Sequence, residues 1–309
     1  MATGTLQQAD RGTDAMLKRI YDNWTQVKAA TGTPNSRQRQ VWRDYLRTRP
    51  AIAYWGDSWF STPLYRNLYW NSFARIDGVS LRLGGPGLTA AKMCTPSNCR
   101  DTAERLHSRE FDLVCISIGG NDCLGARLER IFDGAGRMEA DAAFQRVLDS
   151  GTFDRLRERY DTLLSALSAI GGGFRAVGHG YVPLSRHAIG EKGRLDIKNL
   201  GLAAPLIGNV GPWLWPAMKP VLGNSKPEAE RFAHRLLVDG FRDRVLAPSR
   251  RAFPGLFSYA DFSGVTGTGD KAFWYDEIHP TEAGFGTLAP GLNAMIRAAL
   301  PAAKRAALR

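Results

Sequence analysis

The sequence predicts an α/β protein built on a parallel sheet with helices on both faces. Two observations predict it. Short apolar runs alternate along the chain with amphipathic helical stretches, the pattern of repeated strand–helix–strand units. Several of those runs also end in glycine-rich or polar turns, where open parallel sheets place their sites. The 309 residues, 44% hydrophobic and 23% charged, suffice for a large core and argue against global disorder.

The elements follow in chain order. The first 50 residues read as polar and helical. Met16, Ile20, Trp24 and Val27 share one face and predict a helix across them. Thr31–Ser36 (TGTPNS) breaks it, a second short helix is expected over Arg37–Leu46, and Arg49-Pro50 closes the region. Strands are then expected at Ala51–Trp55, before Gly56-Asp57-Ser58, and at Val79–Leu83, before Gly84-Gly85-Pro86-Gly87. The strongest is Asp112–Ile118 (DLVCISI), which is β-branched and bounded by Gly119-Gly120. Phe174–Val177 and Leu256–Phe262 complete the set. The clearest helix runs from Phe153 to Ile170, with Leu156, Tyr160, Leu163, Leu164 and Leu167 on one face, and Gly171–Gly173 stops it. Another is expected over Pro227–Leu246, with Pro227 suited to a first turn.

One segment fits no element. Asn199–Met218 (NLGLAAPLIGNVGPWLWPAM) carries no charge over 20 residues, a length that spans a bilayer. Three prolines and three glycines make a continuous helix poor there, so a broken apolar insertion is expected, as a lid or as an added core layer.

The net charge is +11, unevenly spread. Residues 1–50 hold nine Lys/Arg against four Asp/Glu, and residues 283–309 hold four basic residues and no acidic ones. The middle of the chain is nearly balanced, at +2. Basic ends suit peripheral contact with an anionic membrane, or solubility alone; no motif points to nucleic acid. The opening residues show no apolar signal-peptide core, so a cytoplasmic location is the default expectation, with signal-less export left open. Of the four cysteines, Cys115 is expected in the core, and Cys94 and Cys99 lie close enough to close a loop in an oxidising compartment.

Polar residues with chemical potential gather at the expected strand ends. They are Ser58 after the first strand, Asn121 and Asp122 after the third, and Asp276 and His279 beyond the fifth. A serine, a histidine and a carboxylate converging on one sheet edge are the parts of a serine hydrolase. A serine hydroxyl needs an adjacent base, which His279 can supply, and Asp276 can orient that imidazole. The alternatives are ordinary ones: Ser58 as a helix cap, Asn121 as a turn residue, Asp276 as a cap, and Asp57 and Asp122 as structural hydrogen-bond partners. His179, in Gly178-His179-Gly180, follows the fourth strand and is a candidate for substrate contact; His107, His187 and His234 have no supporting pattern.

These blocks resemble the SGNH, or GDSL-type, hydrolase family. G-D-S is read at Gly56-Asp57-Ser58, G-x-N-D at Gly119-Gly120-Asn121-Asp122, and D-x-x-H at Asp276-Glu277-Ile278-His279. The second block is looser; Gly87 fits it best and Gly85 next. Trp59 stands where the family pattern has Leu. The resemblance covers about residues 51–300. It implies a flavodoxin-like three-layer sandwich with a central parallel sheet of about five strands. An N-terminal helical extension (1–50), an insertion at about 186–226 and a basic tail (301–309) are then additions to it. It also implies catalysis by Ser58, Asp276 and His279, with Ser58, Gly87 and Asn121 as oxyanion donors and no metal or organic cofactor. Lipid esters are the expected substrates, with Trp59, His179, Trp213 and Trp215 as candidate contacts. The alternatives are a carbohydrate O-acetyl esterase and a non-catalytic flavodoxin-like binding protein.

Overall fold

The computed structural model describes residues 19–193 and 211–309. Six strands form one parallel sheet: β1 Ile20–Tyr21, β2 Ala51–Gly56, β3 Val79–Gly84, β4 Leu113–Ser117, β5 Arg175–His179 and β6 Phe257–Ala260. Their order is β1-β3-β2-β4-β5-β6. β2 and β4 are buried at every residue, as expected for central strands covered on both faces. Their near-continuous apolar character is why both were legible as strands.

The flanking helices follow the amphipathic patterns. The expected helix from Phe153 runs over Thr152–Ser168, buries Phe153, Leu156, Tyr160, Leu163, Leu164 and Leu167, and packs against the helix Pro96–Ser108. On another side the long helix Glu282–Ala299, capped by Thr281, packs on β5, β6 and the short helix Leu68–Phe73. The stretch expected from Pro227 to Leu246 is helical, with a change of winding. It is α-helical over Lys226–Ala233, carries Pro227 in its first turn, and then widens into π-type turns through Leu246.

The expected helix through Ile20 is not formed. Ile20–Tyr21 is instead the edge strand β1, and the helix begins at Trp24, where the Asn23 side chain accepts from Gln26 N–H. Long-range contacts override the local periodicity. Ser80 N–H donates to Arg19 O, and the Arg19 guanidinium donates to the carbonyls of Ile76 and Gly78, so the chain beside Ile20 is captured by β3. Met16, the first residue of that pattern, lies outside the described residues.

The helix Arg37–Leu46 is present, capped by Ser36. It is fastened to the body by buried Trp42, whose indole N–H donates to Arg109 O, and by Arg39, which donates to Ser108 O. Cys94, Cys99, Cys115 and Cys123 are all buried free thiols. Most of the uncharged segment lies outside the described residues. Its described end turns into the helix Trp215–Val221, and Leu214, Ala217 and Met218 join the core. No helix among the described residues is long and apolar enough to cross a membrane.

The register sets the site. Gly56 pairs with Gly84 on one side and Ser117 on the other, so β2, β3 and β4 end level. The glycines are needed for that closeness. A Cβ on Gly84, which has φ 102°, would lie 2.0 Å from Gly56 O, and one on Gly56 would lie 2.6 Å from Ser117 Cβ.

Candidate active site

Just past β2 the chain stays in the ladder for one more bond, Asp57 N–H to Ser117 O at 2.9 Å. It then turns into the short helix Ser58–Ser61. The cap of that helix is Asp57, whose Oδ1 accepts from Trp59 N–H at 3.2 Å and from Ser117 Oγ–H at 2.8 Å. Ser58 is therefore not the cap. It is the first helical residue, partly exposed, and its Oγ lies 2.7 Å from His279 Nε2.

His279 reaches Ser58 from a distant part of the chain. Its Nδ1 lies 2.7 Å from Asp276 Oδ2 and 2.9 Å from Oδ1. Asp276 Oδ1 also accepts backbone N–H bonds from Ile278 at 2.9 Å and His279 at 2.8 Å. Burial pushes the Asp276 carboxyl up, but the charge of His279 and these donors outweigh it and hold it below its ordinary value. With a carboxylate on Nδ1, the proton of the neutral ring belongs there. Nε2 is then free to accept from Ser58.

Asn121 lies in the turn Gly120–Cys123 after β4, and its Nδ2 donates to Leu88 O at 3.0 Å. An amide carries two N–H groups, so a second remains for another acceptor. The same bond fastens the loop of Gly87 to the turn after β4. Gly85 N–H is already used in a bond to Gly56 O at 3.1 Å, whereas Gly87 has a left-handed φ of 72°. Asp122 accepts from Ala90 N–H at 2.7 Å and so braces the same two loops.

Ser58 and Asn121 line one small cavity of about 20 Å³ with Asp57, Trp59, Gly120, Leu124, Tyr181, Leu184, Leu237 and Ile278. Its walls are mostly apolar. Trp59, a candidate contact, lines it and is itself buried. His179 is 2% exposed and stacks on Trp59 with ring centroids 5.1 Å apart. Its Nδ1 bonds Gly180 O, its Nε2 is buried without a partner, and burial pulls its pKa down to about 4. The structure thus puts His179 behind Trp59 in an aromatic layer with Phe60, Tyr181 and Phe262.

Trp213 lies beside the Asp276–His279 pair. Its indole N–H points to Asp276 Oδ2 at 3.4 Å, and its ring meets the imidazole edge-on at 6.2 Å. Trp215 carries Lys226 Nζ 4.7 Å from its ring centroid.

Sequence reasoning missed Glu277, which is fully buried and accepts four backbone N–H bonds. The one signal was a second acid in the DEIH block; its partners lie over 60 residues away and leave no local trace. Among the described residues, no group of three or more His, Cys, Asp or Glu could hold a metal ion.

No protein-family model and no curated protein matches the sequence. Solved structures do match in fold. The lipase Lip_vut3 from a goat rumen metagenome superposes with a TM-score of 0.50 at 13% identity, over 79% of this chain and 96% of that one. A phospholipase A1 from Streptomyces albidoflavus gives 0.45 at 17% identity, over 80% and 99%. A carbohydrate esterase family 3 protein from Talaromyces cellulolyticus gives 0.41 at 13% identity, over 81% and 98%. The chain shares the fold of the Lip_vut3 structure, a central parallel sheet flanked by helices.

Proposed function

We propose that the protein is a serine hydrolase of carboxylic esters, with Ser58 as nucleophile. The observation that carries this reading is the unbroken relay from Ser58 Oγ to His279 Nε2 at 2.7 Å and from His279 Nδ1 to Asp276 at 2.7 Å. His279 takes the Ser58 proton as Oγ attacks the ester carbonyl, and Asp276 stabilises the imidazolium that results. Backbone N–H groups of Ser58 and Gly87 and the second N–H of Asn121 receive the oxyanion. The tetrahedral intermediate collapses, His279 protonates the departing alcohol, and an acyl group remains on Ser58. Water, deprotonated by His279, then releases the acid.

The apolar cavity walls favour a hydrocarbon on the acyl side, and lipid esters are the substrate class we propose. The lipase of similar fold is a reason to test them first. A second reading, an O-acetyl esterase acting on a glycan, is favoured by the cavity's volume of about 20 Å³, little more than one water-sized sphere. Aryl esters of increasing acyl length separate the two, with Ser58→Ala as control. Rising kcat/KM with chain length supports the lipid reading, and activity confined to acetate supports the other. If neither protein hydrolyses any ester, the enzyme reading fails and a binding protein remains.

For the basic ends we propose contact with an anionic lipid surface. In support, Arg75, Arg297, Arg305 and Arg309 line one cleft at the end of the helix Glu282–Ala299. Weaker binding of Arg297→Gln/Arg305→Gln to anionic vesicles, with zwitterionic vesicles as control, is the expected result.

A further inference from the structure

Glu277 is 0% exposed, and a buried carboxylate is costly unless its oxygens are satisfied. Here both are, entirely by backbone donors. Oε1 accepts from Gly190 N–H at 2.9 Å and Trp215 N–H at 3.0 Å. Oε2 accepts from Leu214 N–H at 2.6 Å and from Trp213 N–H. Burial pushes the carboxyl upward and these four donors oppose it.

The donors come from two places in the chain, Gly190 ahead of the uncharged segment Asn199–Met218 and Trp213–Trp215 near its end. The acceptor sits between Asp276 and Ile278. On its other side, Trp213 O accepts from Gly125 N–H at 2.9 Å, in the loop that follows Asn121. The backbone of Trp213 is therefore pinned to the loops that carry Asn121 and Asp276. Its indole is left facing Asp276 Oδ2 at 3.4 Å and the edge of His279.

We infer that Glu277 is a positioning residue that gathers the N–H groups of Gly190, Trp213, Leu214 and Trp215 and thereby holds the Trp213 indole against the Asp276–His279 pair. The inference rests on the serine-hydrolase reading. It gives Trp213–Trp215, at the described end of the uncharged segment, a role in aligning the base. A carboxylate is required because it alone offers acceptors on both oxygens. In Glu277→Gln one end becomes an NH₂ that meets two N–H donors head-on. One pair of bonds is then lost, and the indole loses its support.

The test compares Glu277→Gln, Trp213→Phe, the double variant and Glu277→Asp with the full-length wild type. The readouts are kcat and KM on a soluble aryl ester, the rate at which a fluorophosphonate labels Ser58, and the thermal midpoint. Glu277→Gln is expected to lower kcat by about 10²-fold, the typical consequence of a small misplacement, with KM little changed. Labelling should slow in parallel, and Glu277→Asp should recover part of kcat. Because both residues act through one contact, the double variant should be no slower than Glu277→Gln. A lowered midpoint with unchanged kcat and labelling rate would overturn the inference and leave Glu277 a purely structural group. Full additivity would overturn it as well. If Glu277→Gln does not fold, a wild-type kcat in Trp213→Phe overturns it. A wild type that neither hydrolyses an ester nor takes the label overturns the proposed function, and this inference with it. An active wild type with an unaffected Glu277→Gln overturns this inference alone.

Discussion

Ser58 and His279 meet across 2.7 Å, but the chain holds them in contrasting ways. Ser58 follows a strand paired on both sides and buried at every residue, so its backbone position is set by a ladder. Asp276 and His279 lie in irregular chain between the turn Lys271–Phe273 and the helix Glu282–Ala299. There the work of a ladder is done by separate bonds. They include Tyr275 N–H to His279 O, Thr281 N–H to Phe273 O, the N–H bonds to Asp276 Oδ1, and Glu277. Ser58 inherits its place from the sheet, while His279 depends on polar groups that each have to be satisfied.

Each loop also holds a buried aspartate, and the two titrate in opposite directions. For Asp57, desolvation dominates over the bonds from Ser117 and Trp59 and raises the carboxyl to about 6. Asp276 is 3% exposed, yet the charge and donors of His279 hold it low. Similar burial thus gives opposite shifts, decided by the imidazole and the backbone donors gathered around Asp276.

The largest expected effect tests the base loop. If the proposed roles hold, Asp276→Asn removes the acceptor that fixes the proton on Nδ1, and kcat should fall by about 10⁴-fold, the loss typical when a serine-hydrolase triad loses its carboxylate. A loss below tenfold on a steady-state assay would mean that backbone bonds alone orient His279. Next, Asn121→Ala should cost about 10² to 10³ in kcat if the free N–H meets the oxyanion. A pure KM effect would make Asn121 a brace for Leu88 only.

The sheet side is tested by Gly84→Ala. Its Cβ would meet the Gly56 carbonyl at 2.0 Å, so denaturant unfolding should show a loss of about 1–3 kcal/mol or more, with a displaced Ser58 loop. Unchanged stability would show that the level strand ends tolerate movement.

The smallest effect distinguishes the two aspartates. Asp57 binds its proton more tightly folded than unfolded, so its contribution to stability falls as pH rises from about 4 to about 6. That rise corresponds to on the order of 3 kcal/mol. Both of its hydrogen bonds go to Oδ1, which asparagine keeps. Asp57→Asn should therefore flatten this window and raise stability at pH 7 in urea unfolding. Asp276 has the opposite sign: it stabilises above its unfolded value of 3.8, and that contribution is lost as pH falls below it. An unaltered pH profile in Asp57→Asn would place the proton elsewhere.

Much of this was legible in the sequence because its causes are local. Buried parallel strands read as apolar runs, glycines mark strand ends that lie close together, and Ser58, Asn121, Asp276 and His279 sit in short blocks whose order is visible in one dimension. Tertiary structure decided what depends on distant partners. It turned Ile20–Tyr21 into an edge strand through Arg19 and Ser80, and it made Asp57 the cap in place of Ser58. It also put His179 behind Trp59 and gave Glu277 its four donors from Gly190 and Trp213–Trp215. A buried polar group is satisfied by whatever the fold brings to it, and neither periodicity nor spacing encodes partners that lie more than 60 residues away.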